Sequence, residues 1–253
     1  MDFGRTARDY AMYRTAFPSA LFTRLAAMGI GLASHRIVDL GTGTGALARG
    51  FAAEGCLVTG VDIAPELLEE ARPQDAALGL EVTYRVASAE DTGLPAQAWD
   101  VVSAGQCWHW LDRERALAET RRLLVVGGAL AICYRDYQVL PGNVCEASED
   151  LVLTYHPDWP LAGGVDGHPE WAAELTAAGF EDVETFSFDM FAPFTHEAWR
   201  GRMRSSNGVG ASLSSAEVAA FDADLARLLR ERFPKEPLLV PHRIWALVGR
   251  RGR

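Results

Sequence analysis

The chain has 253 residues, 49% apolar and 23% charged, which is enough for an α/β domain of ordinary size with a substantial core. Its net charge of −10 speaks against a nucleic-acid partner, which needs a basic surface to neutralise phosphate. No window approaches the roughly 20-residue apolar run of a membrane span, and residues 1–10 lack the apolar centre of a secretory signal. Cys56, Cys107, Cys133 and Cys145 show no metal-ligand spacing, so the expectation is a cytoplasmic, metal-independent protein with reduced thiols.

Through residue 136 short apolar runs alternate with amphipathic ones. Strands are predicted at 36–40, 57–62, 82–87, 100–104 and 129–134, with helices at 46–54, 65–78 and 112–125 between them. Such alternation predicts a parallel sheet covered by helices on both faces. Pro65 suits a first helical turn, where its missing N–H costs little. Gly127-Gly128 reads as a helix stop and tight turn. Residues 137–170, with Pro141, Pro157, Pro160 and Pro169, read as an insertion holding one short helix near 146–153. A helix at 169–178, a strand at 183–191, helices at 195–204 and 216–232, and a last strand at 244–249 complete the chain. The two late strands suggest an antiparallel end to the sheet. Trp171 and Trp245 read as core residues and His242 as a turn or strand-edge residue.

The most informative stretch is Arg36-Ile37-Val38-Asp39-Leu40-Gly41-Thr42-Gly43-Thr44-Gly45. A strand that enters a glycine loop and then a helix forms a cofactor cradle in open α/β folds. Glycine lets the backbone approach a ligand, and the helix start offers unpaired N–H donors. Gly41, Gly43 and Ala46 also fit dinucleotide spacing. Three acidic features favour another ligand. Asp39 would repel a pyrophosphate and attract an ammonium or sulfonium. Asp62, closing the second strand, can accept both hydroxyls of a ribose. Ser88-Ala89-Glu90-Asp91 can meet an adenine. A cationic, phosphate-free adenosine compound satisfies all three, and S-adenosylmethionine is that compound.

This ensemble resembles the class I S-adenosylmethionine-dependent methyltransferases. The resemblance runs from the glycine loop through Val61-Asp62-Ile63-Ala64-Pro65 to Ala89-Glu90-Asp91 and Trp99-Asp100-Val101-Val102, and on into Leu123–Ala131. It implies a doubly wound, seven-stranded Rossmann-like sheet of order 3-2-1-4-5-7-6 with the last strand antiparallel. It also implies an N-terminal helical cap over 1–35, a cofactor core over 36–136, a lid insertion over 137–170 and a substrate-side helical excursion over 195–233, all in a single domain over 1–253. In such proteins Gly41 and Gly43 pass the methionyl part, Asp62 holds ribose, and Ser88 to Glu90 hold adenine. Asp39, Thr42, Ile63, Ala89 and Gln106 join the implied cofactor set.

A narrower resemblance lies in Gln106-Cys107-Trp108-His109-Trp110-Leu111-Asp112, which is similar to a segment of trans-aconitate methyltransferase-like enzymes acting on small molecules. Tyr10-Ala11-Met12-Tyr13-Arg14 resembles the opening segment of the same group, which closes over the cofactor; this adds Tyr13 and Arg14 to the cofactor set and Tyr10 to the substrate set. His109 is a candidate general base, or a ring that only packs and hydrogen-bonds beneath the cofactor. Trp108 and Trp110 are candidates for stacking on a flat ring. Tyr134, Arg135, Trp199 and Arg204 complete the candidate substrate set, with Arg135 suited to a carboxylate. The reading is methyl transfer to an oxygen or nitrogen of a small molecule, such as an aromatic natural-product intermediate or a carboxylic acid, by a monomer or homodimer. The alternative is a protein that binds S-adenosylmethionine in a non-methylating or sensory role.

Overall fold

Seven strands form one mixed sheet in the order β3-β2-β1-β4-β5-β7-β6, with β6 antiparallel to β7. The structure is a computed structural model and describes residues 16–160, 162–163 and 167–253. The strands are β1 Arg36–Leu40, β2 Leu57–Asp62, β3 Val82–Val86, β4 Trp99–Gly105, β5 Leu124–Tyr137, β6 Phe180–Phe194 and β7 Leu238–Arg251. The helices are α1 Ser19–Ala27, α2 Ala46–Ala53, α3 Pro65–Ala77, α4 Arg113–Leu123, α5 Val144–Tyr155, α6 Pro169–Ala177, α7 His196–Arg204 and α8 Ser215–Arg232. Strand β1 pairs in parallel with β2 on one side and β4 on the other, and β2–β3 and β4–β5 are parallel too. A central parallel strand is buried on both faces, which is why Ile37 to Leu40 are all buried.

By packing, the chain divides into two compact units. The sheet unit takes the described part of 15–135 together with Gly167–Ser187 and Ile244–Arg253. The helical unit takes the described parts of 136–166 together with Phe188–Arg243. Strands β5, β6 and β7 each run through both. The sheet unit has its own core, in which Val38, Leu40, Val61, Val102, Ala104, Leu130, Ile132 and Leu247 meet Trp108, Trp171 and Leu175. In the helical unit α5, α7 and α8 pack around Val152, Trp199, Met203, Phe221, Leu225 and Leu229. Their starts follow from capping: Asn143, Thr195 and Ser214 accept N–H bonds from the first turns of α5, α7 and α8, and Ser214 with Glu217 closes a full capping box. The Asn143 cap sets the start of α5 at Val144, ahead of the predicted 146, and the helix runs on to Tyr155.

Two local expectations are corrected. Helix α4 stops at Leu123, and the Gly127-Gly128 pair lies inside β5 instead of a turn. Leu124 pairs with Trp99 and Ala129 with Val101, so the strand bulges between them, and Gly127 takes the left-handed φ of +78° that this bulge requires. His242 lies within β7, 3% exposed and stacked on Phe194, instead of at an edge. Trp171 and Trp245 pack with the sheet unit's core as expected. Among the described residues no helix is long and apolar enough to cross a membrane.

Candidate active site

The candidate groups at Gly41–Gly45, Asp62, Ser88–Glu90 and Gln106–Trp110 follow or close the parallel strands β1 to β4. Strand β1 runs into the loop Gly41–Gly45. At Gly41 (φ +56°) a Cβ would lie 2.8 Å from the Cys107 sulfur, so only glycine fits there. At Gly43 (φ +55°) a Cβ would meet nothing within 4 Å, which leaves the loop backbone open on that side. The Thr42 N–H donates to the Val61 carbonyl at 3.0 Å and ties the loop to β2.

Asp39 is almost fully buried at the base of the loop. It stands opposite Ser103 in the β1–β4 register and is 1% exposed. One carboxylate oxygen accepts the Ser103 hydroxyl at 2.6 Å and the other the Thr42 hydroxyl at 2.7 Å. Burial pushes its pKa from 3.8 up to about 6, against the lowering effect of those two hydroxyls. Asp39 therefore braces the glycine loop from beneath. Ser103 was missed in the sequence; the signal was a single hydroxyl in the otherwise apolar run Val101-Val102-Ser103-Ala104.

Asp62 sits where the motif places it, at the end of β2. Its two oxygens accept the N–H groups of Gly43 at 2.8 Å and Ala64 at 2.9 Å, and burial raises its pKa. Each oxygen keeps a second acceptor position, directly beside the open backbone at Gly43. Ile63 is 71% exposed next to it, an apolar surface on which a flat ring can rest. After β3 the loop is closed on itself. The Ser88 hydroxyl donates to Glu90, the Glu90 N–H returns to Ser88 Oγ at 3.2 Å, and the other Glu90 oxygen accepts the Asp112 N–H at 3.0 Å. Ala89 is 5% exposed in the core, so what it offers a ligand is backbone.

Strand β4 is followed by Gln106, a non-glycine residue at φ +61°, whose Nε2 donates to the Arg135 carbonyl at 2.6 Å and so ties this turn to β5. Cys107 donates its thiol to the Leu40 carbonyl at 3.1 Å. Next comes a single 3-10 turn, Trp108–Trp110. Trp108 is fully buried in the core, with an indole N–H that finds no acceptor among the described residues; Trp110 is largely exposed. His109 Nδ1 lies 2.7 Å from the Tyr134 hydroxyl, and the His109 N–H donates to the same oxygen at 3.3 Å. Tyr134, expected to touch substrate, is 5% exposed and packed among Trp171, Trp245 and His168, and its hydroxyl is directed at His109. His168, which no sequence motif singles out, stacks on Trp171 with ring centroids 3.5 Å apart.

Arg135 donates one N–H to the Ala16 carbonyl, while its Nε is buried without a partner among the described residues. Burial alone lowers its pKa to about 10, and no carboxylate among the described residues neutralises it. Trp199 and Arg204 belong to the helical unit. Trp199 is fully buried and donates its indole N–H to Ser148 Oγ at 2.9 Å. Arg204 is held by Asp222 at 2.6 Å and Glu197 at 3.1 Å. Tyr10, Tyr13 and Arg14 lie outside the described residues.

Comparison with known proteins agrees with this geometry. A family model described as a methyltransferase domain matches residues 38–132. An uncharacterised methyltransferase of Mycobacterium tuberculosis is 32% identical over 152 residues, 59% of this chain and 58% of its own length. The chain thus spans rather less than two thirds of that relative. A malonyl-[acyl-carrier protein] O-methyltransferase of Geobacter sulfurreducens is 31% identical over 74% of this chain and 71% of its own. Among solved structures, one assigned as a type II methyltransferase from Anaeromyxobacter dehalogenans superposes with a TM-score of 0.64 at 27% identity, covering 95% of this chain and 98% of that one. The glycine loop, the paired acids at the strand ends and these matches converge: the chain belongs to the class I S-adenosylmethionine-dependent methyltransferase family.

Proposed function

We propose that the protein transfers a methyl group from S-adenosylmethionine to an oxygen of a small molecule, with nitrogen as the other acceptor the site would serve. The observation that carries this reading is the pairing of open backbone at Gly43 with the Asp62 carboxylate hydrogen-bonded to it. The residues present fit the cofactor. Both acids braced against the loop are anionic partners for a cation and repel a diphosphate. Arg49, which reaches Gly45, is held by Asp75 at 2.9 Å and is not offered to a phosphate. Asp62 would take the ribose hydroxyls, Ile63 a face of the adenine, and the backbone of Gly41 to Gly43 the methionyl part.

When bound, S-adenosylmethionine supplies a methyl group activated by the sulfonium. The protein's own task is orientation, which can supply up to roughly 7–11 kcal/mol of a barrier. Oxygen is preferred as acceptor because the Geobacter relative is named an O-methyltransferase and because Arg135, near the end of β5 and with no carboxylate beside it among the described residues, draws acids.

Titration calorimetry with S-adenosylmethionine, S-adenosylhomocysteine and NAD tests the reading. Both adenosyl ligands should bind, and Asp62→Ala should weaken them by about 1.5–3 kcal/mol, the scale of hydrogen bonds to a charged group. Tight NAD binding without heat from S-adenosylmethionine would remove it. So would an Asp62→Ala protein with unchanged affinity.

A further inference from the structure

We infer that Gly60 is a positioning residue for the cofactor loop: the space left by its missing side chain is the seat in which Thr42 and Tyr84 meet, and that seat sets the backbone from Gly41 to Gly45. What the loop receives rests on the methyltransferase reading; Gly60 acts on it only through its neighbours.

Glycine in the middle of a strand weakens it, and often marks a place where another group comes close. Gly60 lies within β2 and outside the left-handed region, so its backbone conformation does not call for glycine. The space around it does. A Cβ on Gly60 would lie 2.8 Å from Thr42 Cγ2, 2.9 Å from Thr42 Oγ1 and 2.9 Å from Tyr84 Cδ1. One row of the sheet brings these groups together: Tyr84, Gly60, Asp39 and Ser103 pair in turn across β3, β2, β1 and β4. Asp39 accepts the Thr42 hydroxyl at 2.7 Å, and Gly60 beside it lets the rest of that side chain sink onto the strand. Tyr84 closes the seat from the β3 side and runs on to the end of the loop, where a Cβ on Gly45 would overlap its hydroxyl oxygen.

None of these groups can step aside without losing a contact. Thr42 is β-branched and stiff about χ1, and turning its methyl away from Gly60 swings the hydroxyl off Asp39. The Thr42 N–H is fixed to the Val61 carbonyl at 3.0 Å, and the next N–H, that of Gly43, to Asp62 at 2.8 Å. Tyr84 is wedged between Gly60 and Gly45. A methyl at position 60 is therefore relieved by lifting the loop from β2, which draws the Gly43 N–H away from Asp62.

The test moves a methyl across the seat. Affinity for S-adenosylhomocysteine is measured by calorimetry for the unmodified protein, Gly60→Ala, Thr42→Ala and the double variant. Gly60→Ala should raise Kd about tenfold or more, the scale of one overpacked methyl. Thr42→Ala should raise Kd in the unmodified protein, where it empties the seat, and lower it in Gly60→Ala, where it makes room for the new methyl. The same direction in both backgrounds, or a Gly60→Ala protein that binds as tightly as the unmodified one, overturns the inference. A purely structural glycine would shift the urea midpoint and leave the Kd of the folded protein in place. Should Gly60→Ala not fold, Thr42→Val and Thr42→Ala still decide. Both lose the bond to Asp39, but valine keeps the seat filled and should bind about tenfold more tightly; equal Kd values overturn the inference. Amide exchange at Gly43, followed by NMR without ligand, keeps the two claims apart. It should be about tenfold faster in Thr42→Ala than in Thr42→Val, because the loop opens locally once its seat is empty; equal rates count against the seat. Were the unmodified protein to bind no S-adenosylhomocysteine, the methyltransferase reading would fail while Gly43 exchange still judged Gly60 and Thr42.

Discussion

The two units meet the demands of their buried polar groups in different ways. In the helical unit side chains pair with side chains: Trp199 with Ser148, Tyr137 with Glu149, Tyr155 with Asp224, and Arg200 and Arg204 with Asp222. In the sheet unit Asp39 pairs with the Ser103 and Thr42 hydroxyls, but three other side chains at the strand ends bond to backbone. Asp62 holds Gly43 and Ala64, Gln106 holds the Arg135 carbonyl, and Cys107 holds that of Leu40. A side-chain pair locks two helices and ends there. A bond from a side chain to a loop freezes the loop's shape and leaves its outer face available. The first pattern makes a scaffold and the second makes a receptor.

Trp199→Ala tests that division most severely. The ring is fully buried, with edge contacts to Tyr137 and Phe194. Removing it should cost about 3–5 kcal/mol of stability, measured by urea denaturation. Affinity for S-adenosylhomocysteine under folding conditions should stay where it was. A loss of affinity as large as the loss of stability would return Trp199 to the ligand and erase the distinction.

Asp39→Asn sharpens the comparison from the other side. Asp39 is an acid whose folded pKa, about 6, lies above its ordinary 3.8 because burial disfavours the charge. Its contribution to stability is therefore fully present below pH 3.8 and is lost as pH rises through about 6. At pH 7 the buried charge costs about 3 kcal/mol. Asparagine keeps the shape without the charge, and the Ser103 and Thr42 hydroxyls can turn to serve it. The variant should melt higher at pH 7, and its advantage should shrink on acidification toward pH 4. Affinity for S-adenosylmethionine should fall, because the loop loses the anion beneath it. A variant that melts lower at pH 7 would show that the ionised carboxylate stabilises the fold; one that binds S-adenosylmethionine unchanged would show that Asp39 is structural alone.

What the sequence made legible divides along the same line. Strand order and the loop at Gly41 to Gly45 were readable because apolar runs and glycines act locally. Asp62 was readable because its position at a strand end fixes its surroundings. The role of Asp39 was not, since it depends on which residue of β4 lies opposite, and register is a tertiary fact: Ser103 lands beside it. Tyr134 and His109, 25 residues apart, are joined only once β4 and β5 pair. In the helical unit the helices were readable but the fate of Trp199 and Arg204 was not. A tryptophan at helical spacing fits a core and a pocket equally well, and an arginine's partner, Asp222, comes from another helix.

Arg204 allows the finest of these tests, because the expected effect is small and its sign is informative. Asp222 is held by both Arg200 and Arg204, and each guanidinium also reaches Glu197, at 3.0 and 3.1 Å. Burial pushes the Asp222 pKa up, but the two guanidiniums more than offset this and hold it below the usual 3.8. Removing one of two partners leaves the carboxylate paired. Arg204→Met should therefore cost only about 0.5–1 kcal/mol, the range of partly exposed ion pairs. This loss should be present at neutral pH and fade as pH falls below 3.8, where Asp222 protonates and the pair no longer matters. KM for the methyl acceptor should not move. A KM that rises tenfold with stability untouched would mean that Arg204 gives its charge to a substrate instead of to Asp222, and the helical unit would then be part of the receptor.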